Sequence, residues 1–240
     1  MVVAIARPQI RWEAPPDDFV LADDPVDNVN QPAIAAALTE SLELAQRLTP
    51  QSLITTNYGL CAQVDGKTVV KAPDWAYILV LSMPRETIQR SYTPQLQGDL
   101  PTVVMEFLSD TDGGEHSTKP TYPPGKWFFY EQILQVPNYV LFDPQQGTLE
   151  VYRLDEGGHY QLRRANDQQC YWLEELQLFL GVWQGTRENR AGYWLRWWDA
   201  QDNLLLWGME LVALERQAKQ TALERLALLE QRLRESGLEL

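Results

Sequence analysis

The fold is decided by two apolar stretches, Asp74-Trp75-Ala76-Tyr77-Ile78-Leu79-Val80-Leu81 and Val103-Val104-Met105-Glu106-Phe107-Leu108. Each is a short, almost continuous run of hydrophobic residues, which is typical of a strand buried on both faces. An acid nevertheless opens the first run, and another interrupts the second. Because burying an unpaired carboxylate is costly, we expect Asp74 and Glu106 to serve a site.

A lysine opens the next aromatic segment, Lys126-Trp127-Phe128-Phe129-Tyr130. Two acids and a lysine brought together by strands are the usual parts of a metal-dependent phosphodiesterase site. Hard oxygen ligands hold Mg²⁺ or Mn²⁺, which neutralises charge and activates water. We therefore expect Asp74, Glu106 and the backbone carbonyl of Phe107 to be metal ligands. Lys126 would stabilise the phosphate, and Tyr130, at i+4, would share its helical face. The structural alternative is that Asp74 caps a turn, that Glu106 pairs with Lys126, and that Lys126 is only a charge at the start of a helix.

Composition excludes several classes of protein. The chain has 240 residues, enough for one domain with an appendage. No apolar stretch is long enough to cross a bilayer, and residues 1–8 lack the features of a signal peptide. Cys61 and Cys170 lie far apart without metal-ligand spacing, and His116 and His159 are too few for a histidine-rich metal site. We expect a reducing, cytoplasmic setting.

The charge of the chain argues against binding to nucleic acid. Its formal net charge is −13, and acidic proteins bind phosphates poorly unless positive charge is locally concentrated. Basic residues occur between Arg187 and Arg196 and at Arg163-Arg164, but neither group is dense. An acidic surface is the simpler interpretation.

Turn residues and periodicity divide the chain into three parts. Residues 1–30 are rich in proline and aspartate and predict an extended arm. Residues 31–208 predict one domain that begins with an amphipathic helix over 31–48 and continues with strands, a hairpin turn at Asp65-Gly66, and a short helix at 125–135. This order of elements indicates an α/β or α+β fold with helices flanking a mixed sheet.

The last part of the chain changes character. Residues 172–208 contain six tryptophans, which favour aromatic packing over a base-stacking platform because basic residues are not interleaved. Residues 209–240 form a charged helix, with a stripe of leucine and alanine from Leu211 to Leu233 that spans about three heptads. Such a polar helix needs a partner. We expect a homodimer contact in preference to packing on its own domain.

The order of several short motifs resembles a known family. These motifs are Lys71-Ala72-Pro73-Asp74, Val103 to Ser109, Lys126-x-x-x-Tyr130, Val136 to Pro144, Glu150 to Leu154, and the tail Arg232 to Gly237. Together they resemble the restriction-endonuclease family abundant in cyanobacteria, the Uma-type endonucleases, over roughly residues 30–165 and the tail. The resemblance implies the PD-(D/E)XK nuclease superfamily, with a restriction-endonuclease-like mixed sheet. It also implies Asp74 and Glu106 as metal ligands and a catalytic lysine displaced from the strand to Lys126.

The chain departs from that family at three places. Leu108 stands where a strict (D/E)-x-K motif has lysine, and Pro101-Thr102 replaces the usual Pro-Asp. The following loop carries additional groups that could be metal ligands or a solvated acidic loop, namely Asp110, Asp112, Glu115 and His116. Glu40 or Glu43 on the first helix could supply a third carboxylate, and the helical phase does not choose between them.

Three functions remain open at this point. The first is a Mg²⁺-dependent DNA endonuclease that works as a homodimer, because cutting both strands calls for two active sites. The second is a catalytically inactive nuclease-fold protein that serves as a protein-interaction module. The third is hydrolysis of a small nucleotide, for which an acidic surface is less of a handicap. If Lys126 pointed away from Glu106, Lys119 would be the next candidate lysine.

Overall fold

The computed structural model describes residues 8–16, 19, 29–109 and 114–235, apart from the side chains of residues 233 and 234. Most of the expected arm over 1–30, the loop acids Asp110 and Asp112, and Gly237 of the tail lie outside the described residues. The strands are β1 Ile10–Arg11, β2 Leu53–Thr55, β3 Gly59–Val64, β4 Lys67–Lys71, β5 Trp75–Ile78, β6 Ser91–Tyr92, β7 Val103–Phe107, β8 Asn138–Asp143, β9 Thr148–Leu154, β10 Tyr160–Leu162, β11 Tyr171–Leu173, β12 Leu178–Arg187 and β13 Arg190–Trp198. The helices are α1 Gln31–Leu44, α2 Lys126–Phe128 and α3 Gly208–Glu235, with a 3₁₀ turn at Arg85–Thr87 and a π-helical segment at Phe129–Ile133.

A six-stranded mixed sheet lies at the centre of the fold, in the order β10-β9-β8-β7-β5-β2. Strand β7 is in its middle, antiparallel to β5 and parallel to β8. All residues of Val103–Phe107 are buried, because both faces of this strand are covered. The mixed α+β sheet expected from the sequence is therefore confirmed, and its two apolar runs are the central strands β5 and β7.

The two faces of the central sheet carry separate cores. On one face, alternate residues such as Trp75 and Met105 pack with α1 and with the antiparallel sheet β11-β12-β13. On the other face, Ala76 and Val104 pack with β3, β4 and the π-helical segment. This alternation follows from the period of two along a strand. It also decides which face receives the acids that interrupt the pattern.

Four of the six tryptophans of residues 172–208 belong to the first core or pack against it. Trp194, Trp197 and Trp207 are buried. The indole N–H of Trp197 donates to the backbone carbonyl of Leu38 on α1 at 3.2 Å. These rings are packed within the fold, which agrees with the structural interpretation of the sequence and leaves them unavailable for stacking on bases.

Three elements differ from the expected ones in length or type. Helix α1 ends at Leu44 rather than at residue 48, since Gln46 adopts a left-handed conformation with φ 54°. Strand β5 stops at Ile78, and the following Leu79 and Val80 are exposed. The helix expected over 125–135 begins at Lys126 but continues as a π-helical segment. Local periodicity does not encode where these elements end.

Helix α3 begins at the domain and leaves it. The Glu210 carboxylate contacts the Arg196 guanidinium through hydrogen bonds of 3.1 and 2.7 Å. From Val212 to Leu229, all residues are exposed. The long helix therefore does not fold back on its own sheet.

The described residues settle two simpler expectations. None of their helices combines the length and the apolar composition needed to cross a bilayer. Cys61 and Cys170 are both free thiols and both buried.

Candidate active site

The register of the two central strands brings the acids together. Trp75 of β5 lies opposite Met105 of β7 in an antiparallel pair, so the preceding Asp74 reaches the position opposite Glu106. Directly opposed residues of antiparallel strands share one face of the sheet. The two carboxylates therefore lie side by side on this face, and each perturbs the pKa of the other. Two acids 32 positions apart in the sequence thus form one site.

Glu106 is the buried centre of this site. Its side chain is 1% exposed. Its Oε1 accepts a hydrogen bond from the Tyr130 hydroxyl at 2.9 Å, and its Oε2 accepts one from Lys126 Nζ at 3.0 Å. Lys126 and Tyr130 lie one helical turn apart, as the sequence spacing predicts. The structure therefore brings Asp74, Glu106, Lys126 and Tyr130 together.

Lys126 is held between two carboxylates. Besides Glu106, its Nζ donates to Glu115 Oε1 at 3.1 Å. The Glu115 side chain is only 12% exposed, so it is not part of a solvated loop. The backbone carbonyl of Glu115 also accepts a hydrogen bond of 2.9 Å from the Tyr139 hydroxyl. The loop after β7 is thereby fixed against the site.

The backbone at the end of β7 connects Asp74 to the first helix. The N–H of Phe107 donates to Asp74 Oδ2 at 2.6 Å. The carbonyl of Phe107, expected to be a metal ligand, accepts a hydrogen bond of 2.6 Å from Gln31 Nε2. Gln31 is the first residue of α1 and is buried. A carbonyl oxygen has two lone pairs, so this contact leaves one for another partner.

Burial and mutual repulsion perturb both acids. Burial raises the pKa of Glu106 to about 8, and Asp74 adds to this effect, while Lys126 and Tyr130 oppose it. Burial also raises the pKa of Asp74 to about 6, against the N–H of Phe107 and the charge of Lys126. Burial lowers the pKa of Lys126, but Glu106 and Glu115 outweigh it and the pKa lies above its ordinary value. The ammonium therefore stays charged.

The charges of this cluster do not balance. Lys126 forms ion pairs with Glu106 and Glu115, and Asp74 lies beside Glu106. The nearby Lys71 interacts with these charges without forming an ion pair among the described residues. When the three acids and Lys126 are ionised, these four groups carry an excess of two negative charges. A bound divalent cation would remove that excess, and carboxylate and carbonyl oxygens are the ligands that Mg²⁺ prefers. The donor set therefore fits a hard divalent ion.

The number of ligands is small. No group of three or more Asp, Glu, His or Cys residues arranged to hold a metal occurs in the part of the chain that the structure describes. Mg²⁺ sites commonly use one or two carboxylates and complete the coordination with water and substrate phosphate. Two carboxylates and one carbonyl agree with such an open site rather than a closed cage.

The acids expected on the first helix lie elsewhere. Glu40 Oε2 accepts a hydrogen bond of 2.7 Å from Arg187, and Glu43 is exposed. Neither approaches the cluster, because both lie in the third and fourth turns of α1 whereas its first residue, Gln31, is the one at the site. His116 is 60% exposed and lies 4.0 Å from Glu150. Lys119 is exposed. Because Lys126 contacts Glu106, Lys119 is not needed as the alternative candidate lysine.

Sequence reasoning missed one member of the site, Gln31, and left the role of another, Glu115, open. Gln31 was not predicted as a site residue, because a polar residue before a proline is typical of the start of a helix. Glu115 is one of several acids in its loop, for which a solvated surface is the simpler interpretation. A signal existed for Glu115, since the loop Gly114-Glu115-His116 leads directly to the turn before Lys126. No local signal connects Gln31 to Phe107, which is 76 positions away.

Comparison with known proteins places these residues in a family. A sequence model of the family described as Uma2, putative restriction endonuclease, matches residues 3–186. The matched segment includes every member of the cluster and ends within β12, before α3. A search of curated proteins found no match.

Proposed function

Since this chain belongs to the Uma2 family, whose description is putative restriction endonuclease, we propose that it hydrolyses phosphodiester bonds in DNA with the help of Mg²⁺ or Mn²⁺. The observation that carries the proposal is the buried cluster in which Asp74 and Glu106 converge beside Lys126. Two buried acids that repel each other lower the stability of the fold unless a cation offsets the repulsion. Their presence is expected where a cation binds.

Each group of the cluster has a part in this chemistry. Asp74, Glu106 and the carbonyl of Phe107 would hold the ion. When bound, the ion supplies charge neutralisation and a water of lowered pKa. Lys126, which stays protonated, provides a fixed positive charge next to Glu106 that can stabilise the phosphate as its charge grows. Tyr130 orients the Glu106 carboxylate through its hydroxyl.

Glu115 is a positioning residue in this scheme. Its carboxylate accepts a hydrogen bond from the Lys126 ammonium, in addition to the one that Glu106 accepts. An ammonium on a flexible stem loses less entropy on reaching its substrate when its neighbours already restrict it. Glu115→Gln would keep a hydrogen bond and remove the charge.

The PD-(D/E)XK assignment belongs to the same proposal. A mixed sheet with the acids on adjacent central strands supports it, as does a helix lysine that reaches Glu106. Leu108 at the strand position of the usual lysine agrees with a displaced lysine. The cyanobacterial source and the cytoplasmic setting stay predictions, the latter supported by two free thiols.

A cleavage assay tests the proposal. Supercoiled plasmid and single-stranded DNA would be incubated with the protein in Mg²⁺, in Mn²⁺ and in EDTA. We expect nicking that requires the metal and falls about 100-fold or more in Asp74→Asn, Glu106→Gln and Lys126→Met. Glu43→Gln is the matched control, because this exposed acid lies away from the cluster. Metal-dependent cleavage that survives in Asp74→Asn and Glu106→Gln alike would contradict the assignment.

The inactive interaction module is the less favoured alternative. It draws support from the acidic charge and from the exposed apolar residues of α3. A protein without catalysis has, however, no evident use for a buried excess of negative charge. Full stability of the fold together with no cleavage of any DNA under any metal would favour this alternative.

We propose in addition that α3 mediates a homodimer. Leu214, Leu226 and Leu229 are each more than half exposed, at 53%, 54% and 56%, and they share a face with Ala218 and Ala222. Isolated protomers rarely leave such a seam in water. A second copy of the same helix would cover it with complementary leucines.

Sedimentation of the full chain against Leu214→Glu/Leu226→Glu tests the dimer. We expect a dimer that becomes a monomer in the double variant without loss of melting temperature. Truncation at Gly208 is a poorer test, because it removes Glu210 from the buried Arg196. A full-length monomer at micromolar concentration would contradict the proposal.

A further inference from the structure

The lysines of this chain are unevenly distributed. Only five occur in the sequence, Lys67, Lys71, Lys119, Lys126 and Lys219. Four of them fall within 60 consecutive residues, whereas the chain as a whole carries a net charge of −13. Lysine is thus concentrated in one segment, although this segment also carries two arginines and seven acidic residues. A locally positive surface, which an acidic protein needs in order to bind phosphates, must therefore come from where the fold places these lysines.

Strand β4 directs two of these lysines toward the candidate site. Lys67, Val69 and Lys71 alternate along β4 and so share one face. Val69 is buried in the same core as Tyr130. Lys71 is half-buried and stands three residues before Asp74. The face of β4 that carries both lysines therefore continues into the catalytic cluster.

The loop before α2 brings the third lysine to the same place. The hydroxyl of Tyr122 donates to the backbone carbonyl of Thr68 on β4 at 3.2 Å. The ammonium of Lys67 lies 4.8 Å from the centre of the Tyr122 ring. The carbonyl of Lys119 accepts the N–H of Gly125, directly before Lys126, at 2.9 Å. Lys119 is thus on a loop tied to β4 at one end and to α2 at the other.

These lysines lack the acidic partners that Lys126 has. Among the described residues, no ion pair engages Lys67, Lys71 or Lys119, whereas Lys126 has two. Burial lowers the pKa of Lys71, and the charges of Lys126 and Lys119 lower it further, while Glu106 opposes them. Neighbouring ammonium groups repel one another, and a bound polyanion would relieve that repulsion.

We propose that Lys67, Lys71 and Lys119 form a rim that binds successive phosphates of the DNA strand at the site of cleavage. The proposal rests on the proposed function, because it gives the substrate of that site a path to Asp74 and Glu106. The rim supplies phosphate contacts and no base contacts, so it would bind duplexes of different sequence alike. It also explains how a chain with a strongly negative net charge approaches DNA.

Binding measured without cleavage tests the rim. The anisotropy of a fluorescent DNA duplex would be followed in EDTA across a range of salt concentrations, for the full chain and for Lys67→Gln/Lys71→Gln/Lys119→Gln. Each lost phosphate contact should flatten the log–log salt dependence by about 0.9. We expect the triple variant to lose about tenfold or more in affinity at moderate salt, with a slope shallower by about 2 to 3.

The fifth lysine supplies the matched control. Lys219→Gln changes the net charge in the same direction on exposed α3, and it should keep affinity and slope. Lys67→Arg/Lys71→Arg/Lys119→Arg retains the charges and should also bind. Three outcomes would overturn the rim. In the first, Lys219→Gln lowers the affinity for DNA as much, per charge removed, as the triple glutamine variant does. In the second, the triple glutamine variant binds DNA as the full chain does, and in the third the full chain does not bind DNA. If the melting temperature of the triple variant is lowered, the same binding measurement is made on the three single variants.

Cleavage assays on the same proteins separate the two proposals. If the triple variant loses binding while the full chain never cleaves, the rim stands and the hydrolytic function fails. If cleavage requires Asp74 but the triple variant binds and cleaves as the full chain does, the function stands and the rim fails.

Discussion

Two buried clusters of charged residues in this protein differ in their balance. At the base of α3, the buried Arg196 and the half-buried Arg187 each have a carboxylate at 2.7 Å, Glu210 and Glu40, so both guanidinium charges are paired. A third acid, the half-exposed Glu188, lies 3.5 Å from Arg187 at the surface. At the candidate site, three neighbouring carboxylates have one ion-paired lysine among them. A balanced cluster is complete by itself, whereas an unbalanced one needs a proton or a cation.

The details of the first cluster agree with a structural role. The Arg196 side chain is fully buried, donates to the carbonyl of Leu205 at 3.1 Å, and lies 3.5 Å from the centre of the Trp207 ring. These contacts join β13 to the start of α3. The comparison teaches that burial of charge alone does not indicate a functional site. The uncompensated charge is what distinguishes the site around Glu106.

Removing one partner from the balanced cluster should have the largest effect on stability. Glu210→Ala leaves the Arg196 charge buried without its carboxylate, and we expect the free energy of unfolding to fall by about 3–5 kcal/mol in urea denaturation. Glu215→Ala, on the exposed part of α3, should change it by less than about 0.5 kcal/mol. Arg196→Met/Glu210→Leu should recover much of the loss. A small loss in the free energy of unfolding of Glu210→Ala would contradict the structural role of this cluster.

The unbalanced cluster should instead make the protein less stable as pH rises. The pKa of Glu106 is about 8 in the fold against 4.5 for an ordinary glutamate, so the folded state binds more protons between these values. The contribution of Glu106 to the free energy of unfolding, measured in EDTA, should therefore be most favourable below pH 4.5. It should fall by a few kcal/mol between pH 4.5 and pH 8. Asp74, with a pKa of about 6 against 3.8, adds in the same direction.

Thermal melts of Glu106→Gln sharpen this prediction. Because glutamine does not ionise, the pH dependence between 4.5 and 8 should be flatter than in the unaltered chain. Glu43→Gln, which removes an exposed acid, should leave the dependence unchanged. Stability that rises across this pH window in EDTA would contradict the charge imbalance.

Divalent ions should stabilise the unbalanced cluster selectively. At a free Mn²⁺ concentration of 100 times its Kd, the folded state should gain about 2.7 kcal/mol. Protons compete for Glu106 below its pKa of about 8, so the gain should be larger at pH 8 than at pH 5. The melting temperature would be measured with and without the ion in the unaltered chain, in Asp74→Asn and in Glu210→Ala. An equal gain in Asp74→Asn would place the ion elsewhere.

The smallest expected effect concerns the hydrogen bond between α1 and β7. Gln31→Ala removes the donor to the carbonyl of Phe107 and should cost about 1–2 kcal/mol of stability. It should also weaken the response to Mn²⁺, because the same carbonyl is a proposed ligand. Glu43→Ala on the same helix is the control for both measurements. Loss of stability with an unaltered response to the ion would limit Gln31 to a structural role.

The sequence carried most of the information about the strands around the site. The runs at β5, β7 and β8 are continuous and apolar, and central strands buried on both faces have that pattern. The acids were visible because they interrupt these runs. The spacing of Lys126 and Tyr130 gave their common helical face. Element ends were less predictable, as the exposed Leu79 and Val80 show.

Partners remote in sequence could not be predicted in the same way. Glu40 was a reasonable candidate for the third carboxylate, but Arg187, 147 positions away, pairs with it. Gln31 at the site has no feature in the sequence that distinguishes it from a helix-starting residue. Glu115 was visible only as one acid among several in a loop.

By itself the sequence determined the apolar strands, the two acids within them, the common helical face of Lys126 and Tyr130, and the concentration of lysines between residues 67 and 126. These are local patterns, and burial preference and periodicity express them directly. Only the tertiary structure decided that Trp75 lies opposite Met105, which sets Asp74 beside Glu106, and that Gln31 and Glu115 join them. Strand register and helix docking depend on packing between distant segments, which no local pattern records.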